Sequence, residues 1–295
     1  MTKRMSLVVV LAVVAAYLLP SLAVKGIQAR GYAKQKTALN RLQSGRATGN
    51  VTTTYVAGST RERHGIDGYW PDDNRQHATV IVIHGGGWSG GAKESARADC
   101  KRLANNGYAA FTINYTLTTE TVPSFPGAVE DVRAAVQWVS NLTEHVDRRR
   151  IALVGYSAGG HLALLYAARY PGEVTGVINV SGPTDLLKAP EILKPYAEDF
   201  LGASASDNLE LWKEASPITY VNSGVYAKTR IGLLAGGVDP LVLPDDAQAM
   251  YDALRNAHVE TTYLHLGNGN HCLLEAQAVR DAIIDDFLKV ARWKP

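Results

Sequence analysis

The chain has 295 residues, 46% of them hydrophobic and 20% charged, with 30 basic against 28 acidic side chains and a formal net charge of +2. That balance excludes a disordered or low-complexity chain. The basic excess is concentrated in the N-terminal tail, so no nucleic-acid partner is expected, and two cysteines, Cys100 and Cys272, in no metal-ligand spacing leave no metal or other cofactor to expect.

Lys3 and Arg4 precede an apolar run over 5–19, followed by Pro20, Ser21, Leu22 and Ala23. A charged start, an apolar centre and small residues at the end describe a secretory signal over 1–24, with Ala23 as the last residue removed. The run also approaches the roughly 20 residues that cross a bilayer, so an uncleaved anchor is the rival reading. Residues 25–50 carry Lys25, Arg30, Lys34, Lys36, Arg41 and Arg46 and no acid. Such a basic linker favours a flank kept on the cytoplasmic side and suits anionic headgroups. Export, periplasmic or secreted, is the expectation; a membrane-tethered form is the alternative.

Residues 51–295 then alternate between short apolar runs and helical patterns, which predicts one domain with a mostly parallel sheet covered on both faces. The run 80–83 is a buried strand that leads directly into HGGGW, residues 84–88. A glycine run after a strand lets backbone amides approach a substrate carbonyl, where acyl transfer develops negative charge. Gly86 and Gly87 are the candidate donors, His84 reads as a residue pinning the loop, and Trp88 borders it. Helices are expected at 92–106 and 126–141. The strand 151–154 runs into GYSAGG, residues 155–160, and a helix over 157–170. Strand, G-x-S-x-G and helix make a nucleophile elbow, with Ser157 as nucleophile and the amide of Ala158 as a further oxyanion donor.

After the strand 177–180, residues 186–223 form the longest piece with no evident sheet role. They contain Tyr196, Phe200 and Trp212 and read as a small cap insertion, with a packing layer as the other reading. The strand 231–235 ends in GGVDP, residues 236–240, which offers Asp239 as the acid. Asp245 and Asp246 suit the start of a helix over 245–257, and Asp185 comes one strand too early. The last strand, 261–266, leads to GNGNH, residues 267–271, and a helix over 271–290. His271 is therefore the candidate base, whereas His258 and His265 lie on or beside strand-like segments and read as structural. Serine, acid and histidine follow in the order such a sheet requires.

The set HGGGW, GYSAGG, GGVDP and GNGNH resembles the α/β-hydrolase superfamily, near bacterial esterases with feruloyl and acetyl-xylan esterase-like domains and the hormone-sensitive-lipase-like carboxylesterases. The likeness covers about residues 51–293, and the segments 64–71, 107–115 and 215–221 fit the same pattern. Two features depart from the hormone-sensitive-lipase group: Tyr156 stands where an aspartate is usual, and the segment before the first strand is short and basic. The resemblance implies a serine ester hydrolase and leaves the ester open; action on small or short-acyl esters through an acyl-enzyme is the expectation. Amide or peptide cleavage by the same residues is the enzyme alternative, and a binding protein on a hydrolase scaffold the non-enzyme one. In this fold the helices carrying Cys100 and Cys272 share a face, so a disulfide in an oxidising compartment and two buried free thiols are both open. Sequons at Asn50, Asn114, Asn141 and Asn179 matter only in a eukaryotic secretory pathway.

Overall fold

A computed structural model describes residues 49–289. The segment 1–24, read as signal or anchor, and nearly all of the basic linker lie outside the described residues. Among the described residues no helix is long and apolar enough to cross a membrane.

Strand β3 (His77–Ile83) is buried at every position, as are β4 (Ala109–Ile113) and β6 (Gly176–Val180). Uninterrupted apolar runs of this kind are what a strand needs when both of its faces are covered. They sit inside an eight-stranded sheet with β1 (Gly49–Thr54), β2 (Gly65–Trp70), β5 (Val146–Tyr156), β7 (Arg230–Gly236) and β8 (Thr261–Leu266), in the order β1-β2-β4-β3-β5-β6-β7-β8. Only β2 runs against its neighbours, β1 and β4; all other pairs are parallel. Strand β1 was not expected. Its sequence, GNVTTT, merges into the preceding polar linker, and it acquires strand character by pairing Val51 with Gly68 at the sheet edge.

Side chains alternate across β3, so Ile81 and Ile83 face one core layer while Val80 and Val82 face the other. The first layer packs against α2 (Gly127–Ser140), α3 (Ala158–Arg169) and α6 (Pro244–Asn256); the second packs against α1 (Arg97–Asn105) and α7 (Gln277–Leu288). Each such buried aliphatic side chain contributes roughly 1.5–3 kcal/mol. This is the α/β-hydrolase arrangement, and it gathers the loops at the carboxyl ends of β3, β5, β7 and β8 on one rim.

Two local expectations need correction, and the two readings left open for the cysteines resolve. The helix expected over 92–106 opens with a 3-10 turn, Lys93–Ala96, because Lys93 is buried and its amide donates to Asn114 Oδ1 at 2.7 Å. The helix expected from 271 begins only at Gln277, after a 3-10 turn over His271–Ala276. Cys100 and Cys272 lie in the same core layer, and both are free, buried thiols with no disulfide.

The segment 186–223 folds as two 3-10 turns around α4 (Lys194–Leu201) and α5 (Leu209–Glu214). Its aromatics divide: Phe200 and Trp212 are buried in the core, while Tyr196 is 46% exposed. Asn114 and Asn179 are buried and hydrogen-bonded, which removes two of the four sequons as modification sites in the folded chain.

Candidate active site

Strand β5 stops at Tyr156, and the chain reverses through Ser157 with φ 53° and ψ −123°, a region that side chains rarely occupy. Backbone strain of this kind costs on the order of 1–3 kcal/mol and persists only where the surroundings fix it. Here the surroundings are main chain. A Cβ on Gly155 would lie 2.2 Å from the Gly159 carbonyl oxygen, and one on Gly159 would lie 2.3 Å from that of Ile83 at the end of β3. The glycine spacing is thus the condition for β5, α3 and β3 to meet. Ser157 N–H donates to Val180 O at 2.8 Å, and the Ser157 carbonyl accepts from Gly160 and His161. The hydroxyl is left pointing out of the turn.

Asp239 follows β7 and is 3% exposed. Its Oδ1 accepts from the amides of Leu241 at 2.9 Å and Val242 at 3.0 Å, and its Oδ2 accepts from His271 Nδ1 at 2.7 Å. Burial alone would raise its pKa, but the donors from His271, Val242 and Leu241 outweigh it and hold the carboxyl below 3.8. On the imidazole, burial opposes a charge, yet the Asp239 hydrogen bond and a smaller contribution from Cys272 raise the pKa above 6.5. With Nδ1 donating to the carboxylate, Nε2 accepts from Ser157 Oγ at 2.9 Å. The three residues singled out in sequence therefore form one hydrogen-bonded run.

The histidine loop is strained as well. Cys272 and Leu273 both occupy the left-handed region, at φ 59° and 53°. Cys272 N–H donates to Ser181 Oγ at 3.0 Å, Leu274 N–H donates to Asn270 Oδ1 at 2.9 Å, and Leu273 is fully buried.

Opposite the serine, Gly86 at φ 129° and Gly87 at φ 58° turn the HGGGW loop back on itself, closed by Gly90 N–H to Gly86 O at 2.9 Å. The amides of Gly86 and Gly87 take no part in that turn's hydrogen bonds. Ala158 opens α3, where first-turn amides have no partner within the helix. These loops line a cavity of about 640 Å³ that includes Gly86, Gly87, Ser157 and His271. Leu193, Tyr196, Leu241 and Leu274 give it an apolar side; Asp99, Tyr156, Gln277 and Arg280 give it a polar one. A second cavity of about 260 Å³, lined by Pro183, Val242, Leu243 and Asp246 among others, shares Leu193 with it.

The remaining candidates serve the frame. His84 donates from Nδ1 to Gly85 O at 2.8 Å, stacks on Tyr115 at 4.5 Å, and burial lowers its pKa. Trp88 is 1% exposed, stacks on Phe200 and donates to His161 Nδ1 at 3.2 Å, so it is a packing residue. Burial lowers the pKa of His161 to about 4, and its Nε2 donates to Ala215 O. Asp185 caps the turn Leu186–Lys188, while His258 and His265 are exposed. Asp245 and Asp246 do stand in the first turn of α6, but Asp246 is half-buried and hydrogen-bonded as well. It accepts from the amides of Thr184 and Asp185, and burial pushes its pKa up to about 6.

Sequence reasoning missed the polar wall. Tyr156 donates to Asp99 Oδ2 at 3.0 Å, Arg280 lies over the Tyr156 ring at 4.8 Å, and burial raises the Asp99 pKa against the opposing pull of Arg280. One signal was available: in α7 the buried positions are Arg280, Ile284, Phe287 and Leu288, so an arginine occupies the apolar stripe of a helix.

Comparison with known proteins places this geometry. The BD-FAE family model matches residues 66–254, a stretch that contains Ser157 and Asp239 and ends before His271. Esterase LipQ of Mycobacterium tuberculosis is 32% identical over 240 residues, which cover 73% of this chain and 56% of LipQ. The acylamino-acid-releasing enzyme of Rattus norvegicus is 29% identical over 241 residues, covering 74% of this chain and 32% of that protein. The chain thus spans about half and about a third of the lengths of these two relatives. A truncated carbohydrate esterase from gut microbiota superposes with a TM-score of 0.71 at 20% identity, covering 83% of this chain and 96% of the other, a likeness of fold. With the family matched over more than half of its length, the chain belongs to the BD-FAE family and has the α/β-hydrolase fold.

Proposed function

We propose that the chain is a serine carboxylic-ester hydrolase acting on small or short-acyl esters through an acyl-enzyme. The observation that carries this reading is the run Ser157 Oγ to His271 Nε2 at 2.9 Å and His271 Nδ1 to Asp239 Oδ2 at 2.7 Å. Ser157 Oγ attacks the ester carbonyl carbon while His271 Nε2 takes its proton, and Asp239 holds the tautomer and stabilises the imidazolium. The amides of Gly86, Gly87 and Ala158 receive the oxyanion. Collapse breaks the ester C–O bond, and His271 returns the proton to the leaving alcohol. Water, deprotonated by His271, then releases the acid and restores Ser157. A cavity of about 640 Å³ with an apolar side supports a small acyl group. LipQ, described as an esterase, and a carbohydrate esterase of the same fold support ester over other acyl substrates.

The likeness to an acylamino-acid-releasing enzyme favours a second reading, cleavage of an acylated amino-acid amide by the same residues. Steady-state rates on p-nitrophenyl acetate and on an N-acetylamino-acid p-nitroanilide separate the two, the ester being expected to give the higher kcat/KM. Ser157→Ala is expected to lose roughly 10⁴-fold or more in kcat with an unchanged circular dichroism spectrum; full activity in that variant overturns the assignment. Export, with 1–23 removed, is proposed from the N-terminal sequence, and the mass of the mature chain checks it. A membrane fraction holding the uncut chain gives the tethered form instead.

A further inference from the structure

Arg280 is 4% exposed, and a guanidinium so far from water is retained only where several partners meet it. Four segments do. Its Nε and Nη2 donate to Asp281 Oδ1 at 3.0 and 2.9 Å on its own helix. Its Nη2 lies 3.7 Å from Asp99 Oδ1 on α1. Its Cζ lies 4.8 Å from the centre of the ring of Tyr156, the residue immediately before Ser157. Its Nη1 donates to the carbonyl of Cys272 at 3.4 Å, the residue immediately after His271. One planar group therefore touches the direct chain neighbours of both the nucleophile and the base.

The Cys272 peptide is the one that needs holding. Its φ of 59°, followed by 53° at Leu273, is a pair of left-handed residues with no glycine. The amide side of Cys272 is tied to Ser181 Oγ, and the carbonyl side is tied to Arg280. Asp281 in turn is met from α1 by Arg102, 3.4 Å away, so the clamp is anchored in both helices of its core layer.

We propose that Arg280 is a positioning residue that locks the His271 loop against the Ser157 strand and so keeps base and nucleophile in reacting register. This rests on the reading of Ser157 and His271 as nucleophile and base. The fork geometry matters: a lysine ammonium supplies the charge but cannot at once lie over the Tyr156 ring, bond Cys272 O and donate twice to Asp281. A small misplacement of reacting groups costs turnover rather than binding.

The test is steady-state hydrolysis of p-nitrophenyl acetate by the full chain carrying Arg280→Met or Arg280→Lys, with Ser157→Ala alongside. Folding is checked by circular dichroism and thermal unfolding. The expected result is a kcat lower by about tenfold or more in both variants, with KM within about twofold of the parent. A folded variant with parental kcat, or one whose whole loss lies in KM, overturns the proposal. If Arg280→Met does not fold, Arg280→Lys, which keeps the buried charge balance, decides in the same way. Activity surviving in Ser157→Ala overturns the functional reading instead, so the two failures are distinct.

Discussion

The serine turn and the histidine loop both hold side-chain-bearing residues at positive φ, but they are braced by different means. Around Ser157 the brace is main chain against main chain: Gly155, Gly159 and the end of β3 approach so closely that no Cβ fits. Around His271 main chain also packs closely on the near side, where a Cβ on Gly236 would lie 2.4 Å from the Asn270 carbonyl oxygen. The left-handed residues beyond it, however, are held by side chains reaching in, from Ser181, Asn270 and Arg280. A backbone brace is local and stiff. A side-chain brace is assembled from separate positions, some of them distant in sequence, and yields by degrees when one member is removed. Ser157 is therefore the fixed reference of the site, and His271 is the part brought to it.

The strongest way to break that comparison is to remove what orients the base. Asp239→Asn is expected to lower kcat by roughly 10⁴-fold with the fold retained, because the imidazole loses its tautomer and its counter-charge. The pH profile gives the sign. Hydrolysis needs neutral His271, whose pKa is raised above 6.5 by Asp239 against the effect of burial, so kcat/KM should fall as pH drops through that raised value. In Asp239→Asn burial remains and the carboxylate does not, so the acid limb should move to lower pH. An unmoved limb would mean that Asp239 does not govern the base.

Next in size is the stiff brace. Gly159→Ala puts a methyl 2.3 Å from Ile83 O and 2.5 Å from His84 O, both main chain that cannot step aside. The expected cost is about 3 kcal/mol, or roughly 6–12 °C in Tm by calorimetry. A melting temperature equal to the parent's would remove the argument for backbone packing at the elbow. The yielding brace should cost less. Asn270→Ala removes the side-chain acceptor for Leu274 N–H, and the expected loss is about 1 kcal/mol with a few-fold drop in kcat. A loss as large as that of Gly159→Ala would erase the distinction between the two loops. Smallest of all is the effect of reductant. With Cys100 and Cys272 both free, dithiothreitol should leave Tm unchanged, and protein unfolded without it should show two titratable thiols.

This difference in bracing also decides what could be read in advance. The elbow, the HGGGW loop, Asp239 and His271 were legible because backbone packing writes itself into glycine spacing, and strand order writes itself into motif order. Side-chain bracing leaves no such trace. The contact of Arg280 with Tyr156 joins positions far apart in the chain, and only the misplaced charge on an apolar stripe hinted at it. The aromatics of 186–223 looked alike in sequence; which of them face the core was settled by the short helices they sit on. Strand β1 was hidden for another reason: GNVTTT gains its strand state from its partner β2, not from its own composition. The two cysteines were rightly placed in one layer, but a shared layer does not make a bond.

Leu193 stands between the cavity that holds Ser157 and the smaller one behind it, touching both. In engineering terms it is a partition wall carried by the insertion and not by the sheet. Trimming it to alanine is expected to join the two rooms, at the cost of a side chain buried in the core, while leaving every strand and glycine turn in place. The reach of the site thus hangs on one side chain of the insertion, set between two spaces and packed into the core beneath them.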